Sequence, residues 1–205
     1  NLSFKKIEEK VAQFQDLLAE QKVNLELLPG VEAYLTSKLP KKVEQGVIKG
    51  INNSQYILIE LPMHHLPGYT DNVLYNLRVL GYTPIIAHPE RYRAVRRNPN
   101  LLYQWISKGS LAQLNAGSLL GMFGSKVKET AQILVEHNLV QLMGSDLHGV
   151  NKRGQCLKLA LRQLNSLATE QGDKYLANAQ LVINNQKLDI DQPQFYEKKK
   201  IFNRL

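Results

Sequence analysis

A single cysteine, Cys156, occurs in 205 residues. That excludes an intrachain disulfide and leaves no thiolate cluster for structural zinc. No apolar run reaches the ~18 to 20 residues that cross a bilayer, and no charged-then-apolar leader opens the sequence. A soluble protein of the reducing cytoplasm, not exported, is therefore expected. Nucleophile signatures are missing as well: there is no GxSxG elbow and no Ser-His-Asp order, which argues against an α/β-hydrolase. The glycine-rich stretch AGSLLGMFG lacks the Lys-Ser/Thr ending of a P-loop, so nucleotide binding is a weak reading.

What is present suits a folded enzyme. A hydrophobic content of 43% in 205 residues can build a sizeable core, and one domain spanning 1–205 is expected. Its last part, 181–205, has no long period and reads as a tail that docks or stays mobile. The 26 Lys+Arg against 18 Asp+Glu give a net charge of +8, which admits nucleic acid, an acidic partner or a phosphate-bearing substrate. Distribution narrows this. Arg91, Arg93, Arg96 and Arg97 directly follow His88, whereas Lys198, Lys199 and Lys200 share a tail with Asp189, Asp191 and Glu197.

Helix and strand signals alternate. Phe4, Ile7, Val11, Phe14, Leu17 and Leu18 keep a helical period after Ser3, an N-cap type. Val23, Leu25 and Leu27 alternate before the Pro29-Gly30 turn, predicting a short strand with Glu32 after it. Tyr56 to Glu60 is continuously apolar up to its last residue, as a strand buried on both faces would be. A helix capped by Asp71 and burying Val73, Leu74, Leu77 and Leu80 stops at Gly81, and a strand follows over Thr83 to Ala87. Asn98-Pro99 opens the next helix, Leu111 to Leu114 forms a strand ending in Asn115, and a helix burying Val127, Ala131, Leu134 and Val135 runs to Asn138. Val140 to Met143 forms a further strand. Leu157 to Ala168 and Asp173 to Ala177 are the last two helices. Such alternation predicts a parallel, barrel-like α/β sheet.

Chemistry-bearing groups fall at the downstream ends of these strands: Glu60, His88 and the Asp146/His148 pair. Strand ends on one rim of a barrel bring distant residues together, and Glu, His and Asp are ligand types for a divalent metal. Each has a plainer reading. Glu60 fits a water-facing rim position, His88 a hydrogen-bonded core imidazole, and Asp146 a turn cap beside a surface histidine. Their joint occurrence at successive strand ends weakens those readings, since each would have to hold independently. In an extended strand end, Asp146 and His148 would share a face. Arg91 and Arg153 hang from the same rim, and planar guanidinium groups clamp phosphate with paired bonds. His64 and His65 fit a loop near the mouth of the site, and His137 a helix terminus that favours the dipole.

The series LPGVEAYL, YILIELP, GYTPIIAHPERY, QLNAGSLLGMFG and LMGSDLHGVNKRG, from Phe4 to Leu167, resembles the PHP-domain bacterial protein tyrosine phosphatases of the CpsB/YwqE type, encoded with capsular or exopolysaccharide synthesis systems. The resemblance implies a distorted (β/α)7 TIM-like barrel of the polymerase and histidinol phosphatase type. It implies a divalent metal cluster, commonly manganese, with magnesium, iron or zinc as other candidates. By the same resemblance Glu32, Glu60, His88, Asp146 and His148 are metal ligands and Arg91 and Arg153 hold the substrate phosphate. A metal-bound hydroxide would attack phosphorus in line with no phosphocysteine, which agrees with Cys156 lying outside the motifs. The implied substrate is phosphotyrosine on a tyrosine autokinase of polysaccharide synthesis, with no role for nucleic acid or membrane insertion and with oligomerisation open.

One departure stands against this. The family opens on a strand bearing His-x-His, followed by a helix and a second strand, and none of these is here. A fragment lacking its first barrel strands, and weak or inactive as it stands, is the expectation. The alternatives are another PHP phosphoesterase, such as a histidinol-phosphatase-like enzyme, and a non-catalytic binding module.

Overall fold

A computed structural model describes residues 3–149, 156–167 and 170–198. Five strands form one all-parallel sheet in sequential order: β1 (Glu32–Tyr34), β2 (Tyr56–Glu60), β3 (Thr83–Ala87), β4 (Leu111–Asn115) and β5 (Leu142–Gly144). Between and around them run α1 (Phe4–Glu20), α2 (Leu39–Glu44), α3 (Thr70–Val79), α4 (Arg93–Arg97), α5 (Asn100–Ser107), α6 (Ala116–Leu119), α7 (Ser125–Glu136), α8 (Cys156–Leu167) and α9 (Gln171–Ile183).

Register sorts the two faces of the sheet. Glu32 pairs with Leu58, Leu58 with Ile85, Ile85 with Leu111, and Gln113 with Leu142. Because side chains alternate, Glu32, Glu60, Leu58, Ile85, Leu111, Asn115 and Leu142 share one face. The opposite face, with Ala33, Ile57, Ile59, Ile86, Ala112 and Leu114, packs into the main core beneath the helices, together with Leu74, Leu77, Trp105, Leu134 and Val135. On the first face a smaller apolar cluster closes the upstream half. There Tyr56, Ile85, Leu111 and Leu142 meet Val182 from the end of α9 and Leu188 from the segment after it. The downstream half of that face carries the polar groups.

Several expectations are corrected. Val23 to Leu27 is not a strand; Val23 and Leu25 stay exposed, and the Gln15 amide serves their backbone, donating to Leu25 O at 2.9 Å and accepting from Leu27 N at 2.8 Å. Alternation without a partner strand gave the pattern but no ladder. Glu32 opens β1 instead of trailing a strand. Asp71 does not cap α3, because its carboxylate is taken by Trp105 Nε1 at 2.7 Å, and Leu80 is partly exposed past the helix end. The left-handed Gly81 (φ 84°) does follow, where a Cβ would be strained. Part of the glycine-rich stretch is helical as α6, whose first turn is held by Asn115 Oδ1 accepting from Gly117 N at 2.9 Å. The final helix is longer than Asp173 to Ala177. The tail docks as far as it is described: Gln194 N donates to His137 O at 2.8 Å and Tyr196 N to Asn100 Oδ1 at 2.8 Å.

Candidate metal centre

Glu32, Glu60 and His88 converge on the downstream half of the polar face. One ligand atom from each lies within 4.8 Å of the others. His88 Nε2 stands 3.0 Å from Glu32 Oε1 and 3.7 Å from Glu60 Oε1. The register explains the carboxylates: Tyr34 pairs with Glu60, so Glu32 is its diagonal neighbour on the same face. His88 follows β3 immediately, in a left-handed conformation (φ 34°, ψ 56°) unusual for a histidine. That conformation costs of order 1 to 3 kcal/mol and persists only where surrounding structure imposes it. Here Pro89 follows, His88 N donates to Gln113 O at 2.8 Å, and the Tyr92 ring packs against the imidazole at 5.3 Å.

The donor set fits a divalent cation. Two carboxylates and one imidazole, with the nitrogen aimed between the oxygens, are ligands for manganese, zinc or iron. Buried His88 also leaves Nδ1 without a hydrogen bond among the described residues. The Glu32 carboxyl is held below the usual value of 4.5, first by its hydrogen bond to His88, against burial, then by the charges of His88, His148 and Arg91.

A second cluster adjoins the first. Arg91 Nη1 donates to Asp146 Oδ2 at 3.2 Å, and Asn115 Nδ2 donates to the same oxygen at 2.9 Å. Asp146 is left-handed as well (φ 49°), so the irregular stretch from Ser145 to His148 is not an extended strand end. The segment nevertheless brings His148 Nδ1 to 3.2 Å from Asp146 Oδ1 and 2.8 Å from the Asp146 backbone O. The Arg91 guanidinium lies 4.7 Å over the Phe123 ring. Arg153 lies outside the described residues. His64 and His65 sit exposed in the irregular segment after β2, and His137 ends α7 with Nδ1 2.8 Å from Ile133 O.

These features coincide with a family match. The chain matches the family described as "Capsular polysaccharide synthesis, CpsB/CapC" over residues 1–188. It belongs to the CpsB/CapC family.

Among its relatives are the tyrosine-protein phosphatase YwqE of Bacillus subtilis and the putative tyrosine-protein phosphatase CapC of Staphylococcus aureus. The first is 35% identical across 96% of this chain and 78% of YwqE, the second 35% across 98% and 79%. The tyrosine-protein phosphatase CpsB of Streptococcus pneumoniae is 32% identical across 91% of this chain and 77% of its own length. A solved structure, from work on YwqE and CpsB as unique metal-dependent tyrosine phosphatases, superposes with a TM-score of 0.92 at 34% identity, covering 96% of this chain and 80% of that one. The mixed α/β fold with its parallel sheet is thus that of the CpsB/CapC family.

Sequence reasoning missed three residues that organise this CpsB/CapC site. Asn115 stands in the sequence only as a strand end, yet its side chain joins Asp146 to α6. Glu90 is fully buried; Oε1 accepts from Asn115 N at 3.1 Å and Oε2 has no hydrogen-bond partner among the described residues. Burial pushes its carboxyl above the usual 4.5, against the nearby Ser118 hydroxyl, backbone donors and His88. Tyr92 fixes the turn from below, its Oη accepting from Leu61 N at 2.8 Å. Adjacency to His88 and Arg91 in HPERY was the available signal for Glu90 and Tyr92.

Proposed function

We propose that this protein is a divalent-metal-dependent phosphatase that removes phosphate from tyrosine in proteins of capsular or exopolysaccharide synthesis. The observation that carries the reading is the convergence of Glu32, Glu60 and His88 next to an arginine already oriented by Asp146. Glu32, Glu60 and His88 would hold the metal, with Asp146 and His148 contributing from the neighbouring strand end and Arg153 joining Arg91 at the phosphate. A bound divalent cation would supply Lewis-acid polarisation of a phosphoryl oxygen and a lowered pKa for a water.

The chain's own residues do the positioning. Asp146 and the Phe123 ring fix the Arg91 guanidinium from two sides, leaving further N–H groups to clamp the equatorial oxygens of a phosphoryl group. Asn115 holds the orienting Asp146 oxygen, so the clamp is set before substrate arrives. A thiol nucleophile is disfavoured by geometry: Cys156 is buried at the start of α8 with Sγ directed at Ser145 O, 3.9 Å away. The sequential parallel strands, with site groups sharing one face, support assigning the sheet to a single PHP-type (β/α)7 barrel domain. The relatives' names support phosphotyrosine in a protein as the substrate, and the family description supports a role in capsular polysaccharide synthesis; the reading extends these to a tyrosine autokinase as the partner, a cytoplasmic location and manganese as the metal.

Turnover of p-nitrophenyl phosphate, a phosphotyrosyl peptide and histidinol phosphate, each with manganese and with a chelator, tests the reading. Manganese-dependent cleavage of the first two, lost in Glu60→Ala, is expected. Preference for histidinol phosphate would move the assignment to a small-metabolite phosphoesterase. Metal binding without turnover would leave a binding module.

A further inference from the structure

A groove of about 550 Å³ runs between α4, the first turns of α7 and the docked tail. Its walls carry Arg93, Arg96, Arg97, Lys126 and Lys198 against one carboxylate, Glu129. Among the described residues none of these five cations is engaged in an ion pair. Arg93, Arg97, Lys126 and Lys198 are exposed. Five cations against one carboxylate around one concavity leave a net positive field that favours an anionic ligand at low salt.

The groove is also built. Its tail wall is pinned by reciprocal bonds between Asn100 and Tyr196, 2.8 and 3.0 Å, and by the Tyr196 ring against His137 at 5.4 Å. One of its lining arginines touches the backbone of the phosphate clamp. Arg96 Nη1 donates to the carbonyl of Arg91, and the short helix α4 carries the groove's three arginines on from that residue.

We infer that this groove binds an acidic peptide segment flanking the phosphorylated residue of a protein substrate. The inference rests on the phosphatase reading for its substrate and on the groove alone for its charge. A bare phosphate monoester engaged at Arg91 would not reach Arg97, whereas a polypeptide carrying Asp or Glu two to four residues away would, at ~3.3 Å per extended residue. Tyr196 and Ile133 give the groove an apolar floor suited to a peptide backbone, and its single tyrosine gives no ladder for stacked bases.

Three substrates separate the possibilities: a phosphotyrosyl peptide with a Glu-rich flank, the same peptide with Gln in place of Glu, and p-nitrophenyl phosphate. Wild type should show a KM about tenfold lower for the Glu-rich peptide at low salt, narrowing as salt rises. Arg93→Glu with Arg97→Glu should erase that preference while leaving the other two substrates unchanged, and Arg93→Gln with Arg97→Gln should reduce it to about threefold. Fluorescence anisotropy of the unphosphorylated Glu-rich peptide on metal-free protein gives a readout independent of turnover, with Kd rising about tenfold in the Glu variant. Equal KM for both peptides in wild type, a preference that survives charge reversal, or duplex DNA displacing the peptide at matching concentration would each overturn the inference. Failure to hydrolyse p-nitrophenyl phosphate would instead sink the phosphatase reading, with the anisotropy still deciding the groove.

Discussion

The two ends of one sheet face have opposite characters. Upstream, Ile85, Leu111 and Leu142 are sealed by Val182 and Leu188; downstream, the same alternation delivers Glu60 and Asn115, with the Glu32 side chain reaching toward them from the start of β1 and His88 and Asp146 joining in left-handed backbone. Burial of the first set stabilises at roughly 25 cal/mol per Å². The second set gathers carboxylates, orphaned buried atoms and strained dihedrals, each of which costs stability. One end holds the fold and the other is held by it, so damage at the two ends should show in different measurements.

The sharpest break comes from the apolar end. Ile85 is fully buried between the sheet and the α9 end, so Ile85→Ala should cost about 2 to 4 kcal/mol in urea unfolding by lost transfer energy and residual cavity. Turnover per folded molecule should stay near wild type. A drop in kcat without a shift in the unfolding midpoint would dissolve the division.

The reciprocal test is His88→Asn. Asparagine tolerates the left-handed backbone, so the melting temperature of the metal-free protein should hold or rise. Removing the imidazole should weaken manganese binding, read by isothermal calorimetry, and lower phosphatase turnover by about a hundredfold or more, equivalent to ~2.7 kcal/mol. An unfolded variant would mean that His88 belongs to the supporting end after all.

How far the sequence spoke differs between the ends in the same way. The strands Tyr56–Glu60, Thr83–Ala87 and Leu111–Asn115 were legible because burial on both faces leaves mostly apolar runs bounded by turn signals, and the residues at the ends of the first two pointed to the rim. Val23 to Leu27 misled because alternation reports a tendency, while a ladder needs a neighbour whose edge is free. Glu60 and His88 were legible as residue types at strand ends; Glu32 was reached only through the family motif, since it opens β1 and the strand expected before it does not form. Asn115, Glu90 and Tyr92 were not, since their roles rest on contacts 25 to 31 residues apart in the chain. The left-handed backbone at Asp146 was equally invisible, because nothing in SDLH distinguishes it from an extended end.

Glu90 offers the finest probe, because it lies under the polar end yet is as buried as any core residue. Its folded carboxyl is raised above 4.5 by burial. The unfolded chain therefore releases the proton near 4.5 while the folded chain keeps it to higher pH. Folding binds a proton in that window, and stability falls as pH rises through it, by at most ~1.4 kcal/mol per pH unit. Glutamine keeps an oxygen for the Asn115 amide and has no proton to lose. Metal-free Glu90→Gln should thus match wild type within about 1 kcal/mol near pH 4.5 and gain on it as pH rises above that value. Glu32 acts with the opposite sign, since its depressed carboxyl contributes stability that is lost as pH falls below 4.5, but it is common to both proteins and cancels in the difference. A flat difference across this range, in paired urea titrations, would mean that Glu90 ionises in place and that the polar end carries one more buried charge than its geometry accounts for.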